Sequence, residues 1–282
     1  YTKHFTFITT QVSMKSIVLI IVSISLLTGL TSCQKELMTP INGNNAAVVE
    51  SYIKAGDTTI LVYLSKIIPY SDDTSDIKEM IPGINVFING NQLTEVDTGI
   101  YQLQLPHSKV VAGTTYNLQF EYGGNSISSQ TVIPEAPENF TISASYIYVD
   151  RGTSGTGGPP SMMTPIELNW SNPDGSYYYI LVQYLEATPS YINANMANGD
   201  FQFVQSSTPS QESTYRLDQR NINCFGSYRI ILYKVNTEFN DVFTKNGTNS
   251  NNLVNPNTNI INGFGVFTGM NADTLYLEVI PN

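Results

Sequence analysis

The sequence predicts an all-β protein with two consecutive antiparallel β-sandwich domains behind an N-terminal leader. Apolar and polar residues alternate at a period of two in one stretch after another, as in strands that bury a single face. Glycine, asparagine and aspartate separate these stretches and supply the positive-φ positions that β-hairpins need. No long stretch has the amphipathic period of a helix. Together these patterns predict sandwiches of short strands.

Residues 46–134 form the first predicted sandwich. Alternation is clear in "INVFIN", "YQLQL" and "TYNLQFEY", where glutamine and asparagine point outward, and "AAVVESYI" and "TTILVYLSKI" add two strands. The turns are predicted at "NGN", "DTG" and "GGN". Pro134 and Pro137 then form a stiff boundary before the next domain.

Residues 138–282 form the second predicted sandwich. The strand "IELNW" leads into the turn "SNPDG", and "YYYILVQYLE" is apolar on both faces, as a central strand should be. Two more strands are predicted in "STYRLDQ" and "GSYRIILYKVN", and "NADTLYLEVI" is expected to close the domain.

The order of these strands, with Leu168-x-Trp170 before the turn and Gly226-x-Tyr228-x-Ile230 after it, resembles a fibronectin type III domain. The resemblance implies that Trp170 packs in the core and that Tyr228 forms the tyrosine corner. The long loops at residues 151–163 and 187–212 depart from that pattern.

The N-terminal residues predict where in the cell the protein is located. Residues 1–13 lie upstream of a better start at Met14 and are expected to be a mis-assigned start. Residues 14–32 are predicted to be a signal peptide, with a basic start and a short apolar stretch that covers only about two-thirds of a ~30 Å hydrocarbon core. An ordinary signal peptide with a chance cysteine, or a core helix, is the alternative.

Residues 30–33, "LTSC", resemble a bacterial lipobox. The resemblance implies cleavage before Cys33 and acylation of its thiol by chains such as palmitate, so that residues 33–45 are the lipidated cysteine and a tether. Residues 34–36, "QKE", resemble the export sequence that sends Bacteroidota lipoproteins to the outer face of the outer membrane. We therefore expect a lipid-anchored protein that faces the cell surface.

Charge narrows the range of partners. Thirteen Lys and Arg residues against 23 Asp and Glu residues give a formal net charge of −10. Removing residues 1–32 takes away two lysines, which brings the charge to −12. This sign argues against nucleic acid as a partner.

The whole layout also resembles an uncharacterised family of Bacteroidota outer-membrane lipoproteins, a family built on a domain of unknown function. The resemblance rests on "VVESY" at residues 48–52, "GIY" at residues 99–101, "TYNL" at residues 115–118 and "NGFGVFTG" at residues 262–269. Its members are often linked with TonB-dependent transporters, which implies such a transporter as a partner.

Candidate site residues fall into several groups. Oxygen ligands for calcium could come from Asp72, Asp73 and Asp76. The run lacks the ordered spacing and the glycine of an EF-hand loop, which favours a solvated acidic loop instead. Tyr177 and Tyr191, which we expect in loops, could stack on a glycan, or they could be ordinary half-buried strand tyrosines.

Two threonines and two scarce residue types complete the candidates. Thr58 and Thr274 lie in Asp-Thr sequences that resemble the O-glycosylation acceptor of Bacteroidota. Downstream of Cys33 the chain has one histidine, His107, expected in a loop, and one further cysteine, Cys224, expected to be a small buried apolar residue. A site with several histidines is therefore excluded from the mature chain.

Three functions remain open from the sequence. The first is a non-enzymatic accessory or interaction module for a TonB-dependent transporter, without a cofactor. The second is glycan capture through exposed tyrosines, with a peptide as another possible ligand. The third is hydrolysis at His107 or at the acidic loop. The fold cannot decide among them, because β-sandwiches host all three.

Overall fold

A computed structural model describes residues 46–67, 78–105, 109–151, 164–193, 202–218, 221–244 and 257–282. Within these ranges the chain forms seventeen strands and one eight-residue helix, which confirms the all-β prediction. In the same ranges no helix has the length and apolarity needed to cross a membrane.

The elements follow one another as β1 (Ala47–Lys54), β2 (Thr59–Lys66), β3 (Phe87–Ile88), β4 (Asn91–Gln92), β5 (Thr94–Asp97), β6 (Ile100–Gln104), β7 (Thr115–Tyr122), β8 (Asn125–Val132), β9 (Glu138–Ile142), β10 (Tyr146–Val149), β11 (Ile166–Ser171), β12 (Tyr177–Tyr184), β13 (Ser190–Tyr191), β14 (Val204–Ser206), β15 (Thr214–Leu217), β16 (Cys224–Val235), α1 (Thr237–Thr244) and β17 (Phe264–Pro281).

These strands form three sheets. The largest runs in the order β14-β12-β16-β17-β1-β2-β6-β5, with β10 beside β17 and β13 beside β16. A four-stranded sheet, β4-β3-β7-β8, covers one half of it, and a three-stranded sheet, β15-β11-β9, belongs to the other half. Neighbouring strands are antiparallel except where β17 meets β1 and β10.

The long last strand connects the two halves. Its first part pairs in parallel with β1, from Val48 opposite Phe264 to Lys54 opposite Met270. Its second part pairs with β16, from Val235 opposite Met270 onward, so the same strand belongs to both halves of the fold. The predicted closing strand covered only "NADTLYLEVI" and belonged to the second domain alone. The structure begins the strand seven residues earlier, at Phe264.

A glycine makes the parallel pairing possible. Gly265 has φ +98°, and a Cβ at this position would lie 2.0 Å from the carbonyl oxygen of Val49. Only a residue without a side chain allows the two backbones to approach this closely.

Two hydrophobic clusters fill the halves. The first is mainly aliphatic and includes Val49, Leu64 and Leu118, together with Ile260 and Phe267 from the C-terminal part of the chain. The second is richer in aromatic residues. In it Trp170 packs against Phe140 and Tyr178, with ring centroids 6.4 and 5.5 Å apart. The predicted core position of Trp170 is confirmed.

Local turn predictions are also confirmed, and one strand prediction is wrong in extent. Asn89 and Gly90, with φ of 49° and 76°, turn β3 into β4, and the two glycines before Asn125 turn β7 into β8. The strand predicted from Ile84 to Ile88 is reduced to Phe87–Ile88. The reason is that the backbone N–H of Ile84 donates to the hydroxyl of Tyr101, 3.0 Å away, outside any strand ladder.

Candidate functional site

A polar groove lies where the two halves of the fold meet. We call it the joint groove; it has a volume of about 680 Å³ and is lined by residues 130–132, 174–177, 211 and 235–238. These segments are the end of β8, the turn between β11 and β12, the approach to β15, and the link from β16 into α1. All of them lie within one compact unit, Ile41–Asn282.

The turn between β11 and β12 forms one wall. Gly175 has φ +65°, a conformation that glycine adopts without strain. The side chain of Asn172 accepts from the N–H of Ser176 at 2.9 Å and donates to the carbonyl of Gln211 at 2.7 Å. Gln211 in turn donates to the carbonyl of Gly175. These bonds tie the turn to the segment that leads into β15.

Asp174 in this turn is paired with Lys234. The ammonium Nζ lies 2.9 Å from a carboxylate oxygen. The hydrogen bond from Lys234, with a second one from Ser176, lowers the pKa of Asp174 from 3.8 to about 2. The carboxylate therefore stays ionised at neutral pH, and its charge is balanced within the wall of the groove.

Glu238, in the first turn of α1, forms the opposite wall. Its Oε1 atom accepts from the hydroxyl of Thr131 at 2.8 Å, from the amide of Asn236 at 3.2 Å and from the hydroxyl of Thr268 at 3.3 Å. Thr131 also accepts from the backbone N–H of Gly269 at 2.8 Å. This cluster joins three elements: β8 of the four-stranded sheet, β17 of the largest sheet, and the helix α1, which follows β16.

Aromatic packing holds α1 in place. Phe239 contacts the rings of Tyr52 on β1 and Tyr179 on β12, with centroids 6.0 and 5.5 Å apart. The helix thus covers part of the shared sheet where the two halves meet. This helix was not predicted. Its sequence is nevertheless typical of a short amphipathic helix, with Glu238 near the N-terminus and with apolar Phe239, Val242 and Phe243.

Tyr177 lines the joint groove from a strand, so the prediction that it lies in a loop is wrong. It is the first residue of β12, half-buried, and pairs with Val235 of β16. Within the described part of the chain, no residue hydrogen-bonds its hydroxyl. Buried and half-buried residues alternate along β12 from Tyr177 onward, because the pairing with β16 already begins at this residue.

Tyr191 lies far from Tyr177, and its expected loop position is also wrong. It belongs to the two-residue strand β13, packs against the second hydrophobic cluster and pairs with Cys224. Because Cys224 and Val235 are the two ends of β16, the tyrosines are separated by eleven residues along that strand, roughly 35 Å at ~3.3 Å per residue. The structure does not bring the two candidate tyrosines together.

A separate row of tyrosines stands on the outer face of the shared sheet. Tyr146 and Tyr148 of β10 and Tyr276 of β17 are 59%, 62% and 60% exposed. Tyr146 pairs with Glu278, two residues after Tyr276 on the same face, and the rings of Tyr146 and Tyr148 have centroids 6.0 Å apart. We call these three residues the tyrosine row. This row is not among the predicted sites, because no strand was predicted between residues 146 and 149.

Tyr228 confirms the corner that the fibronectin resemblance implied. Its hydroxyl donates to the carbonyl of Cys224 at 2.9 Å and accepts from the N–H of the same residue at 3.0 Å. Cys224 is a buried free cysteine, as expected, and burial raises the pKa of its thiol from 9.0 to about 11. A thiol with this pKa is a poor nucleophile at neutral pH.

Several predicted site residues lie outside the described ranges: Cys33, Asp72, Asp73, Asp76 and His107. Thr58 is exposed before β2, and Thr274 is half-buried within β17, where its backbone N–H donates to the carboxylate of Asp273 at 2.7 Å. Across the ranges that the structure does describe, no group of three or more His, Cys, Asp or Glu side chains could hold a metal ion.

Comparison with known proteins identifies the family of the chain. The fold and the joint groove define an all-β protein of packed antiparallel sheets with a polar groove between its halves. The chain belongs to the family described as "Domain of unknown function (DUF4249)", whose match covers residues 35–275. The search of curated proteins gave no match.

A structural similarity was found to a chicken protein, "Crystal structure of chicken CNTN1 FN1-FN3 domains". The TM-score is 0.22 at 11% identity, with 68% of this chain and 60% of the chicken chain covered. The match therefore spans less than two-thirds of that chain.

Proposed function

We propose that this protein is a surface-exposed, lipid-anchored outer-membrane protein that acts without catalysis as an accessory or interaction module for a TonB-dependent transporter. The interaction role rests on the tyrosine row. Three tyrosines that are each about 60% exposed on one sheet face form the kind of aromatic patch that is enriched at protein interfaces.

The lipid anchor is supported by the lipobox-like sequence that ends at Cys33 and by the position of the family match. That match begins at residue 35, two positions after the cysteine, so the matched region starts close to where the mature chain would start. Multiple acylation of one cysteine is sufficient for stable membrane attachment, whereas a single chain is not.

Metabolic labelling with an alkyne analogue of palmitate tests the anchor. In a Bacteroidota host, Cys33→Ser should abolish labelling and release the protein from the membrane fraction. Cys224→Ser is the matched control, because it removes the other cysteine that follows Met14 and should leave labelling per molecule unchanged. Labelling that persists in Cys33→Ser would contradict the anchor, and surface proteolysis of whole cells then tests which side the protein faces.

Affinity recovery from native outer membranes tests the transporter role. We expect a TonB-dependent transporter to be recovered with the wild-type protein and lost when Tyr146, Tyr148 and Tyr276 are replaced by serine. Tyr63→Ser is the control, since Tyr63 is a partly exposed strand tyrosine outside the row. Intact protein that recovers no transporter would overturn the proposal.

A second candidate function is glycan capture, favoured by the presence of Tyr177 in a polar groove. Tyr191, the other candidate, lies at the opposite end of β16 and packs against the core. A glycan array with wild type and Tyr191→Ala tests this candidate: we expect binding that Tyr191→Ala leaves unchanged. An array without any ligand would remove it.

A further inference from the structure

We propose that the joint groove binds a short uncharged oligosaccharide, with Tyr177 as the stacking surface and Gln130 and Thr237 as hydrogen-bonding groups. This inference rests on the glycan-capture candidate and is independent of the transporter role. It assigns the site, the charge of the ligand and the residues that contact it.

The groove is held in a fixed shape before any ligand arrives. One wall is tied by the side-chain bonds of Asn172 and Gln211, and the other by the donors that converge on Glu238. Two further bonds, from Asn236 to Thr131 at 3.0 Å and to the carbonyl of Val132 at 2.8 Å, lock the link between β16 and α1 against β8. A preorganised site avoids the cost of ordering side chains on binding.

The charges of the lining favour a neutral ligand. Asp174 is balanced by Lys234 at 2.9 Å, and Oε1 of Glu238 already accepts three hydrogen bonds from protein groups. The described lining residues include no Lys or Arg. An anion would therefore meet the Glu238 carboxylate, whose hydrogen-bond donors in the described part of the chain are all uncharged, and a cation would compete with Lys234 for Asp174.

The remaining groups match a ligand with many hydroxyls and one apolar face. Tyr177 presents a half-buried ring, and aromatic rings combine an apolar face with a polar tip. The side chains of Gln130 and Thr237 are exposed, and no described residue hydrogen-bonds them. An amide offers both donors and an acceptor, and a hydroxyl offers one of each, which is the complement of a sugar hydroxyl.

The size of the groove agrees with a short oligosaccharide. Its volume of about 680 Å³ lies within the ~300–1,000 Å³ typical of small-ligand sites. The groove runs between the end of β8 and the turn before β12, so a linear ligand would contact both sandwiches.

Calorimetric titration of the purified full-length protein in a non-glycosidic detergent tests the inference. The probes are neutral tri- to hexasaccharides, with hyaluronan fragments as anionic controls and chitosan fragments as cationic controls. Each is used at roughly 10 mM, so that binding as weak as a Kd of about 1 mM is detected. We expect binding of a neutral oligosaccharide and at least about fivefold weaker binding of the charged ones.

Variants locate the site. Tyr177→Ala should weaken binding at least about fivefold, the loss expected on truncating a central aromatic contact, and Tyr177→Phe should weaken it less. Thr237→Trp places a large ring in the groove from an exposed position and should abolish binding while the melting temperature stays near that of wild type. Tyr148→Ala is the matched control from the tyrosine row and should leave binding unchanged.

The outcomes are separable. Binding that survives both Tyr177→Ala and Thr237→Trp, or that is lost in Tyr148→Ala, overturns the groove but leaves glycan capture standing. No binding of any neutral oligosaccharide overturns both. Recovery of a transporter by Thr237→Trp protein is expected in every case, because the tyrosine row is intact in that variant.

Discussion

Each half of the molecule contains a tyrosine whose buried hydroxyl holds a piece of irregular backbone. In the first half, Tyr101 donates to the carbonyl of Ile81 at 2.8 Å and accepts from the N–H of Ile84 at 3.0 Å. In the second half, Tyr228 bonds both backbone groups of Cys224, only four residues upstream. Both hydroxyls hold backbone groups in the same way, but the residues they hold lie at different distances along the chain.

That difference determines what each tyrosine stabilises. Tyr228 fixes Cys224, the first residue of its own strand β16. Loss of the Tyr228 hydroxyl would therefore leave two buried backbone groups of that one strand without their partner. Tyr101 fixes a segment seventeen to twenty residues away, beside the first core, so its loss frees that segment while the strand ladder of β6 remains. Long-range pins of this kind are invisible in local sequence patterns.

The two halves are expected to fold together because β17 pairs with strands of both. Gly265→Ala tests this and should lower the stability more than any other variant proposed. A Cβ there would lie 2.0 Å from the carbonyl oxygen of Val49, so the pairing of β1 with β17 must open. We expect a loss of about 4 kcal/mol or more in the free energy of unfolding, measured by urea denaturation.

Gly124→Ala is the control for that prediction. Gly124 also has positive φ, +81°, but a Cβ there meets nothing within 4 Å. It should cost only about 1–2 kcal/mol, the price of a left-handed backbone for alanine. Equal losses in the two variants would show that the parallel pairing does not carry the connection between the halves.

Tyr228→Phe should cost roughly 2–3 kcal/mol, because it leaves the buried N–H and carbonyl of Cys224 without their partner. Burial raises the pKa of Tyr228 above its ordinary value of 10.0. The neutral hydroxyl is therefore favoured in the folded state, and the stability linked to it is present below pH ~10 and lost as the pH rises further. Denaturation at neutral pH and at about pH 11 should show a smaller alkaline loss in the variant than in wild type.

Tyr101→Phe should cost less, about 1–2 kcal/mol, since Ile84 is only partly buried and water can replace one of its bonds. Amide hydrogen exchange separates the two tyrosines: Ile84 should exchange faster in Tyr101→Phe and unchanged in Tyr228→Phe. Faster exchange throughout β6 in Tyr101→Phe would mean that this tyrosine supports its own strand after all.

Asp174→Asn should have the smallest effect on stability, within about 1 kcal/mol, because the carboxylate is largely exposed and its pair with Lys234 is screened. The lowered pKa of Asp174 places its contribution above pH ~4 and removes it as the pH falls toward 2. Melting curves between pH 5 and pH 2 should therefore be slightly less pH-dependent in Asp174→Asn, and Lys234→Gln should reproduce that change.

The parts of the fold that could be predicted are those encoded by neighbours in sequence. The Asn89-Gly90 turn and the alternation in "TYNLQFEY" need only the residues beside them, and both are found as predicted. Trp170 and Tyr228 were placed correctly through a resemblance that preserves their spacing. The helix α1 was not predicted although its short amphipathic pattern was present, because eight residues with only three apolar positions give a weak periodic pattern.

The candidate site was much less accessible to sequence reasoning. Tyr177 was singled out for its exposure, but its actual setting depends on Thr131, Gln211 and Glu238, which are far apart along the chain. The tyrosine row was missed because Tyr276 joins Tyr146 and Tyr148 only when β10 pairs with β17 in parallel. Nothing in the spacing of residues 146–148 and 276 indicates that they share a face.

The sequence by itself determined that the chain folds as β-strands joined by glycine and asparagine turns, since side-chain alternation and positive φ act over two to four residues. It also placed the predicted lipid anchor at Cys33. Only the tertiary structure decided that β17 pairs with strands of both halves, that Tyr101 holds a distant segment, and that a polar groove forms where the halves meet. These features depend on hydrogen bonds and close backbone contacts between residues far apart along the chain, from Thr131 and Gly269, which are 138 positions apart, to Val48 and Phe264, which are paired strand residues 264 − 48 = 216 positions apart. Pairing over such distances is set by packing of the whole chain.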